Sequence, residues 1–148
     1  MNTHPYLRAY LAGVFFPTLG LPVMLAGFLV LRFVFQVPFP IERGLIFPLA
    51  LVPSIWGLWN MLWLALRATR PIPSGIHGAI LPLLLLPGGT IIARCLGILT
   101  LGSNGVTWFQ SCYVPYALIA PCFLAAIAGY YLVWKYVVGF LNRTFGIA

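Results

Sequence analysis

The sequence predicts an all-α integral membrane protein: a compact bundle of four transmembrane helices that forms one domain over residues 1–148. Two compositional observations support this fold class. The chain is 62% hydrophobic and only 6% charged, whereas a soluble domain has about a quarter of its residues charged. The third observation is that the apolar residues come in charge-free runs of about 20, the length that crosses a bilayer.

The charge-free runs define four predicted spans. The first is read as an uncleaved N-terminal helix, because its apolar run is long enough to span and lacks a clear small-residue cleavage site. The third is irregular, since "RPIPSG" at 70–75 has the composition of a loop and Arg94 lies inside the run. The predicted boundaries are 9–31, 44–66, 76–101 and 113–134.

The basic residues predict the orientation. Four spans put both termini on one side of the membrane, with the larger share of the positive charges. The positive-inside rule therefore predicts cytoplasmic termini, and the small size fits a bacterial inner membrane. The scattered charges favour lipid headgroups over nucleic acid as partners. The side of the termini holds Arg8, Arg67, Arg70, Lys135 and Arg143, and the other side holds Arg32, Glu42, Arg43 and Arg94.

Two predicted connections are unusually apolar, and the three cysteines suggest no metal site. Segments 33–41 and 102–112 are expected to lie in the outer interface or beneath a partner protein. The three cysteines have no metal-binding spacing, so we interpret them as packing residues. A disulfide between Cys95 and Cys112 is the alternative.

The stretch "LPGGTIIARC" at 86–95 predicts a kink or break in the third helix near Pro87–Gly89. Proline removes a backbone donor and clashes with the preceding turn. A broken helix is typical of midplane ligand sites in transporters. With 13 prolines in the chain, we favour a kink that serves packing.

Arg94 is expected to reach the outer surface and to pair with Glu42, the only acid in the chain. An arginine side chain near a helix end can extend to the interface. The alternatives are that Arg94 binds a lipid phosphate and that Glu42 pairs with Arg43. In the ligand-binding interpretation, Arg94 binds an anionic group of the ligand beside the predicted break at Pro87–Gly89.

Small residues recur at helix-packing intervals in three of the predicted spans. Such faces let two backbones approach closely, which favours association inside lipid. The spacing does not distinguish contacts within the chain from contacts with a partner. The residues are Gly13, Gly20 and Gly27 in the first span, Gly89, Ala93 and Gly97 in the third, and Ala125 and Gly129 in the fourth.

Three tryptophans in "WGLWNMLW" share one helical face: Trp56, Trp59 and Trp63. We favour an aromatic packing stripe. The alternative is a stacking wall for a pigment, quinone or lipid tail. Asn60 beside them is expected to form a hydrogen bond with another helix. The candidate ligand-binding residues are thus Trp56, Trp59, Asn60, Thr90 and Arg94.

Catalytic equipment is scarce. One acid does not supply a carboxylate pair, and two distant histidines do not supply a zinc site. His77 is a weak candidate ligand for a haem or pigment, although a polar group facing headgroups is the favoured role. We therefore predict a non-enzyme without a cofactor or metal.

Three functions remain open. The leading hypothesis is an accessory or scaffold subunit that contacts other membrane-protein subunits or a second copy of itself. The second is a binder or carrier of a lipid or another apolar ligand. The third is a small homo-oligomeric channel or transporter whose polar path would be lined by Arg94, Asn60 and Thr90.

Overall fold

The structure, a computed structural model, describes residues 4–38, 40 and 42–147. Within these residues, four helical stretches are long and apolar enough to cross a membrane. The prediction of four spanning helices is confirmed in this form, and it is compatible with a multi-pass membrane protein. The stretches, called spans 1 to 4 below, are Pro5–Val34, Phe47–Leu66, Ser74–Cys95 and Tyr116–Thr144.

The spans contain six α-helices and two π-helical turns. Residues 39 and 41 of the predicted apolar connection 33–41 lie outside the described residues, and a third π-helical turn, Glu42–Ile46, leads into span 2. The α-helices are α1 (Pro5–Leu29), α2 (Phe47–Ala50), α3 (Val52–Leu66), α4 (Ser74–Cys95), α5 (Tyr116–Val133) and α6 (Gly139–Thr144). The π-helical turns are Val30–Val34, which ends span 1, and Trp134–Val138, which joins α5 to α6.

Of the predicted kink or break near Pro87–Gly89, the break is wrong, because the helix is continuous there; the interruption lies in span 2. The single helix α4 runs through both Pro82 and Pro87. Each proline removes only one backbone donor, and membrane helices tolerate such prolines. In span 2 the helix is interrupted at Leu51. Pro53, two residues later, has no N–H to donate to the Leu49 carbonyl.

A three-stranded sheet between spans 3 and 4 corrects the all-α prediction. The strands β1 (Leu99–Leu101), β2 (Gly105–Trp108) and β3 (Cys112–Pro115) pair antiparallel in chain order. The turn between β1 and β2 is closed by a bond from the Gly102 N–H to the Gly105 carbonyl, 2.9 Å long. The segment 102–112, expected to lie in the outer interface or beneath a partner, therefore contains β2, the first residue of β3 and the two turns that connect the strands.

Span 3 ends earlier than the predicted residue 101 because a glycine terminates α4. Gly97 has a φ of +67°, a left-handed conformation that glycine adopts without the steric cost of a Cβ. Its N–H donates to the Arg94 carbonyl, and the Ile98 N–H donates to the Ala93 carbonyl, at 3.0 and 2.9 Å. These two bonds form a Schellman motif, which satisfies carbonyls at the helix end.

Span 4 runs past the predicted residue 134 and ends in a second motif of this kind. Lys135 interrupts the charge-free run but not the helix, and its ammonium lies over the rings of Tyr131 and Tyr136. Gly146, with a φ of +65°, donates to the Arg143 carbonyl, while the Ile147 N–H donates to the Asn142 carbonyl.

The spans pack as two antiparallel pairs, α1 with α3 and α4 with span 4. The buried residues concentrate toward the end of the bundle where the two chain ends meet. We call this part the terminal half; it comprises residues 8–13, 53–67, 75–82 and 134–147. A second part, which we call the sheet half, comprises residues 20–34, 47–52 and 83–129, and most of its residues are exposed or half-buried.

Candidate functional site

A reciprocal pair of hydrogen bonds joins spans 2 and 3 in the terminal half. The Trp59 indole N–H donates to the His77 carbonyl at 2.9 Å. The His77 Nε2 lies 3.0 Å from the Trp59 carbonyl and donates to it, since a carbonyl oxygen only accepts. The two rings also stack, with centroids 4.6 Å apart. His77 is 2% exposed, so these contacts hold the side chain in the core.

The same histidine joins an aromatic cluster contributed by all four spans. Trp56 contacts Phe16, Tyr130 and Trp134, with ring centroids 5.9, 5.0 and 5.5 Å apart. Trp134 meets the edge of His77 at 5.8 Å. Trp134 is fully buried, and its indole N–H has no hydrogen-bond acceptor within the described part of the chain.

Two asparagines form a buried amide pair between spans 2 and 4. The Asn60 Nδ2 donates to the Asn142 Oδ1 at 2.8 Å, and the Asn142 Nδ2 donates back to the Asn60 Oδ1 at 3.1 Å. Asn60 also donates to the Ala9 carbonyl of span 1 at 2.7 Å. Neither asparagine is exposed. Because unpaired amides are costly in an apolar medium, this pair fixes the relative register of three spans.

Two arginines hold the C-terminal turn of span 4. The Arg8 Nη1 donates to the Phe145 carbonyl at 2.7 Å. The Arg67 Nη1 donates to the Ile147 carbonyl at 2.6 Å, and its guanidinium lies 5.6 Å from the centre of the Trp63 ring. Spans 1 and 2 thus both bind the end of span 4.

The predicted ligand-binding residues do not form one site within the chain. Trp56, Trp59 and Asn60 belong to the terminal-half core. Thr90 lies 13 residues after His77 on α4, about 20 Å along the helix at 1.5 Å per residue, and its hydroxyl donates to the Leu86 carbonyl at 2.7 Å. Arg94 is farther still and exposed.

The predicted ion pair is also corrected. The Glu42 Oε1 lies 3.4 Å from the Arg32 Nε, so the acid pairs with the end of span 1 instead of with Arg94. The Arg32 Nη1 additionally donates to the Val37 carbonyl at 3.1 Å. A short connection separates Glu42 from the end of span 1. Arg32 is therefore much nearer to Glu42 in the chain than Arg94 is.

The small residues singled out in the sequence have different surroundings. A Cβ at Gly13 would lie 2.5 Å from the Trp56 carbonyl oxygen, so spans 1 and 2 touch there. At Gly20, Gly27, Gly89, Gly97 and Gly129, a Cβ would meet no atom within 4 Å. Gly97 lies beyond the end of α4, which removes it from the proposed Gly89, Ala93 and Gly97 face. Ala93 is half-buried and Ala125 is exposed.

An apolar groove of about 260 Å³ opens between spans 1 and 2 where the sheet half begins. Gly20 lies on its floor, one heptad after Gly13 on the same face of α1. The groove is lined by Pro17, Gly20, Leu21, Met24, Leu49 and Val52.

Sequence reasoning missed several residues that build the core. Asn142 is one of them, and its signal is that an amide at the end of an apolar span favours a buried partner. Trp134 and Tyr130 carried no pattern of their own. Gly57 and Gly78 were not in the predicted repeats, yet a Cβ there would overlap the Tyr10 and Trp134 rings, respectively.

The hydrogen bonds and ring contacts of the terminal half join the four spans to one another. The Nε2 of His77, the weak candidate haem or pigment ligand, is engaged with the Trp59 carbonyl. In the described residues, no three His, Cys, Asp or Glu side chains converge on a metal-sized site. Since the chain matches no protein-family model, no curated protein and no solved structure, its function has to be inferred from this geometry.

Proposed function

We propose that this chain is a non-catalytic accessory or scaffold subunit that assembles with other membrane-protein subunits through its sheet half. The observation that carries the proposal is the division of the bundle into one part with its own core and another whose small-residue faces are open. The terminal half supplies a self-sufficient fold. The sheet half supplies surface on which a partner helix can pack closely.

The open face of α1 supports this assignment. Gly13 is packed against span 2, whereas Gly20 and Gly27, spaced seven residues apart on the same face, have nothing within 4 Å of a Cβ. The face therefore continues from the Gly13 contact into the apolar groove between spans 1 and 2 and on to Gly27, and the described residues leave space for a Cβ at both Gly20 and Gly27. Lipid tails are as apolar as the helix surfaces, so the hydrophobic effect does not drive helices together inside the bilayer. Close approach of two backbones at small residues favours association instead.

Spans 3 and 4 present similar surface. Gly88 and Gly89 on α4, and Gly129 on α5, would also accept a Cβ without contact. None of the residues of α5 is buried within the chain. Three spans thus carry open glycines in the sheet half, enough for a partner to bind at more than one face.

The test is extraction from native membranes in mild detergent, followed by a native gel and mass spectrometry of the intact band. We expect a stoichiometric complex. Gly20→Leu and Gly89→Leu are expected to reduce complex recovery at least tenfold, because each leucine side chain would occupy the space of a partner backbone. Isolated variant chains should unfold at the wild-type temperature.

The matched control is Ile76→Ala, which changes an exposed residue of α4 in the terminal half, outside the proposed partner surface. It should leave complex recovery unchanged. Full recovery of the complex in both glycine variants would contradict the proposal, as would extraction of the wild-type chain alone at 16.3 kDa.

We further propose that the terminal half faces the cytoplasm, in a bacterial inner membrane. Five basic residues lie toward this end, whereas Arg32, Arg43 and Arg94 lie toward the other and Glu42 offsets one of them. The positive-inside rule then favours this orientation.

The native cysteines report the orientation. All three cysteines are exposed, so Cys95 and Cys122 are first replaced by serine. A membrane-impermeant maleimide is then expected to label Cys112 in intact spheroplasts, and further replacement by Cys112→Ser should abolish the labelling. A Thr144→Cys variant in a Cys-free background should react only after the membrane is opened. The reverse pattern would invert the proposed orientation without affecting the subunit assignment.

A second candidate function, binding of a lipid tail or other apolar ligand, is favoured by the groove between spans 1 and 2. The apolar lining of the groove is the kind of surface that an acyl chain contacts. Mass spectrometry of the native band decides between the two: a lone chain with one defined lipid, lost in Gly20→Leu, supports the ligand-binding function.

A further inference from the structure

The terminal end of the bundle concentrates positive charge without an acidic side chain to balance it. Arg8, Arg67, Arg70, Lys135 and Arg143 belong to this end, and the only acid of the chain pairs with Arg32 at the opposite end. Arg8 is half-buried and the other four are exposed. Basic residues at this end of a membrane bundle attract lipids of net negative charge, whereas a zwitterionic headgroup carries its own cation.

Arg8 and Arg67 are held next to each other by the turn that they both bind. Their Nη1 atoms contact the carbonyl oxygens of Phe145 and Ile147, at 2.7 and 2.6 Å. These carbonyls are two residues apart, and Gly146 lies between them. Two side chains from different spans therefore bring their guanidinium groups to the same short turn, and their geometry is fixed before any ligand binds.

Both guanidinium groups keep donors to spare. An arginine has five N–H donors in a rigid fork, and each of these two uses Nη1 on a carbonyl. The Arg8 Nε is shielded from water and has no acceptor among the described residues, so the donors left for a ligand on this side chain are the remaining N–H groups of Nη1 and Nη2. Phosphate oxygens match this fork, because they accept two parallel hydrogen bonds from one guanidinium.

The position along the spans identifies the source of the phosphate. Arg8 lies in the first turn of α1, and Arg67 directly follows α3. Both are thus at the ends of apolar helices, the level of the lipid headgroups. Trp63 beneath Arg67 has an amphipathic ring of the kind that is enriched at this level.

We propose that Arg8 and Arg67, with the C-terminal turn of span 4, form a binding site for the phosphate of an anionic phospholipid headgroup. The bound lipid neutralises the cluster and ties spans 1, 2 and 4 together at the membrane surface. The site is distinct from the sheet-half surface and does not depend on the proposed subunit function.

The test measures the thermal unfolding of the full chain in nanodiscs of phosphatidylcholine, with and without phosphatidylglycerol. We expect phosphatidylglycerol to raise the unfolding temperature of the wild type. Inorganic phosphate added to phosphatidylcholine nanodiscs should not reproduce the shift. For each variant, the quantity compared is the difference between its unfolding temperatures with and without phosphatidylglycerol. A general loss of stability lowers both temperatures and does not change this difference.

Arg8→Lys and Arg67→Lys keep the positive charge but replace the planar guanidinium, with its paired N–H donors, by an ammonium group. Each is expected to lose more than half of the shift, and to retain phosphatidylglycerol about tenfold less in native mass spectrometry, as expected for one lost charge-assisted hydrogen bond. The matched control is Arg43→Lys at the opposite end, which should behave as the wild type.

Three results would overturn the proposal. The first is a wild-type unfolding temperature that is the same in both lipids. The second is an equal loss of shift in Arg43→Lys, which would indicate a diffuse charge effect. The third is an equal shift with inorganic phosphate, which would assign the site to a soluble anion.

Discussion

Both halves of the bundle are built from helices that are long and apolar enough to cross a membrane, but the buried residues of these helices all lie in the terminal half. It contains the Trp59–His77 and Asn60–Asn142 bond pairs, two arginines on the last turn, and glycines under aromatic rings. The sheet half has the same leucines and valines without such contacts. Apolar residues alone do not drive helices together in lipid, so hydrogen bonds and close backbone approach decide where the core forms.

Glycines show the contrast most clearly. Gly57 and Gly78 each lie directly beneath a ring of a neighbouring span, whereas Gly88 and Gly89 lie in open space. The first pair serves the fold of the chain, and the second is available to a partner. The predictions below test this division in order of decreasing expected effect on the free energy of unfolding.

The largest effect is expected for Gly78→Ala. Its Cβ would overlap the indole carbons of Trp134, and Trp134 is fully buried with no space to retreat. Overpacking of this kind costs about 3 kcal/mol. The measurement is SDS-induced unfolding in mixed micelles. Gly89→Ala is the matched control and should change stability by less than about 0.5 kcal/mol. Equal effects in both variants would contradict the division into halves.

Asn60→Leu comes next, with an expected loss of about 1–2 kcal/mol, because it leaves the Asn142 amide buried without its partner. The double variant with Asn142→Leu should lose less than the sum of the two single variants, since it leaves neither amide unpaired. A double-mutant cycle by the same unfolding assay measures this coupling. Strict additivity would show that the two amides act independently.

Trp59→Phe is expected to cost about 1 kcal/mol, the net value of one hydrogen bond. The substitution removes the N–H that donates to the His77 carbonyl and keeps an aromatic ring for stacking. Trp108→Phe makes the same chemical change in β2 of the sheet half and should cost less. A larger loss in Trp108→Phe would reverse the assigned importance of the two halves.

The smallest effect is expected for Glu42→Gln, which removes the ion pair with Arg32. Both side chains are about one-third exposed, at 38% and 32%, and exposed pairs contribute less than about 1 kcal/mol. High salt should abolish the difference between variant and wild type. A loss that persists in high salt would mean that the carboxylate has a role other than ion pairing.

The sequence predicts the spans well because hydropathy and charge are local properties. The sequence places the helix break in the wrong span. Prolines and glycines near Pro87 favour a break, but α4 remains continuous through them. The glycine that ends α4 was assigned to packing at Gly97, although its role is the left-handed turn. The hairpin had a local signal, Asn104–Gly105 between Leu/Thr-rich segments, which is typical of a tight turn.

The core contacts were harder to predict because their partners are distant in the chain. Asn60 and Asn142 are 82 residues apart, and no periodicity within one span specifies which polar residue of another span it meets. The same holds for Glu42, whose one observed ionic partner is Arg32. Arg94 was expected to pair with it because both were placed on one surface, and sharing a surface does not specify a distance.

The uneven distribution of tryptophan has a spectroscopic consequence. Of five tryptophans, Trp56, Trp59, Trp63 and Trp134 lie in the terminal half, and Trp108 lies alone in the sheet. Intrinsic fluorescence of the wild type therefore reports mainly the terminal half. The difference between the emission of the wild type and that of Trp108→Phe isolates the sheet half. Intrinsic tryptophan emission of the wild type and of Trp108→Phe can thus report the two halves separately, without an attached dye.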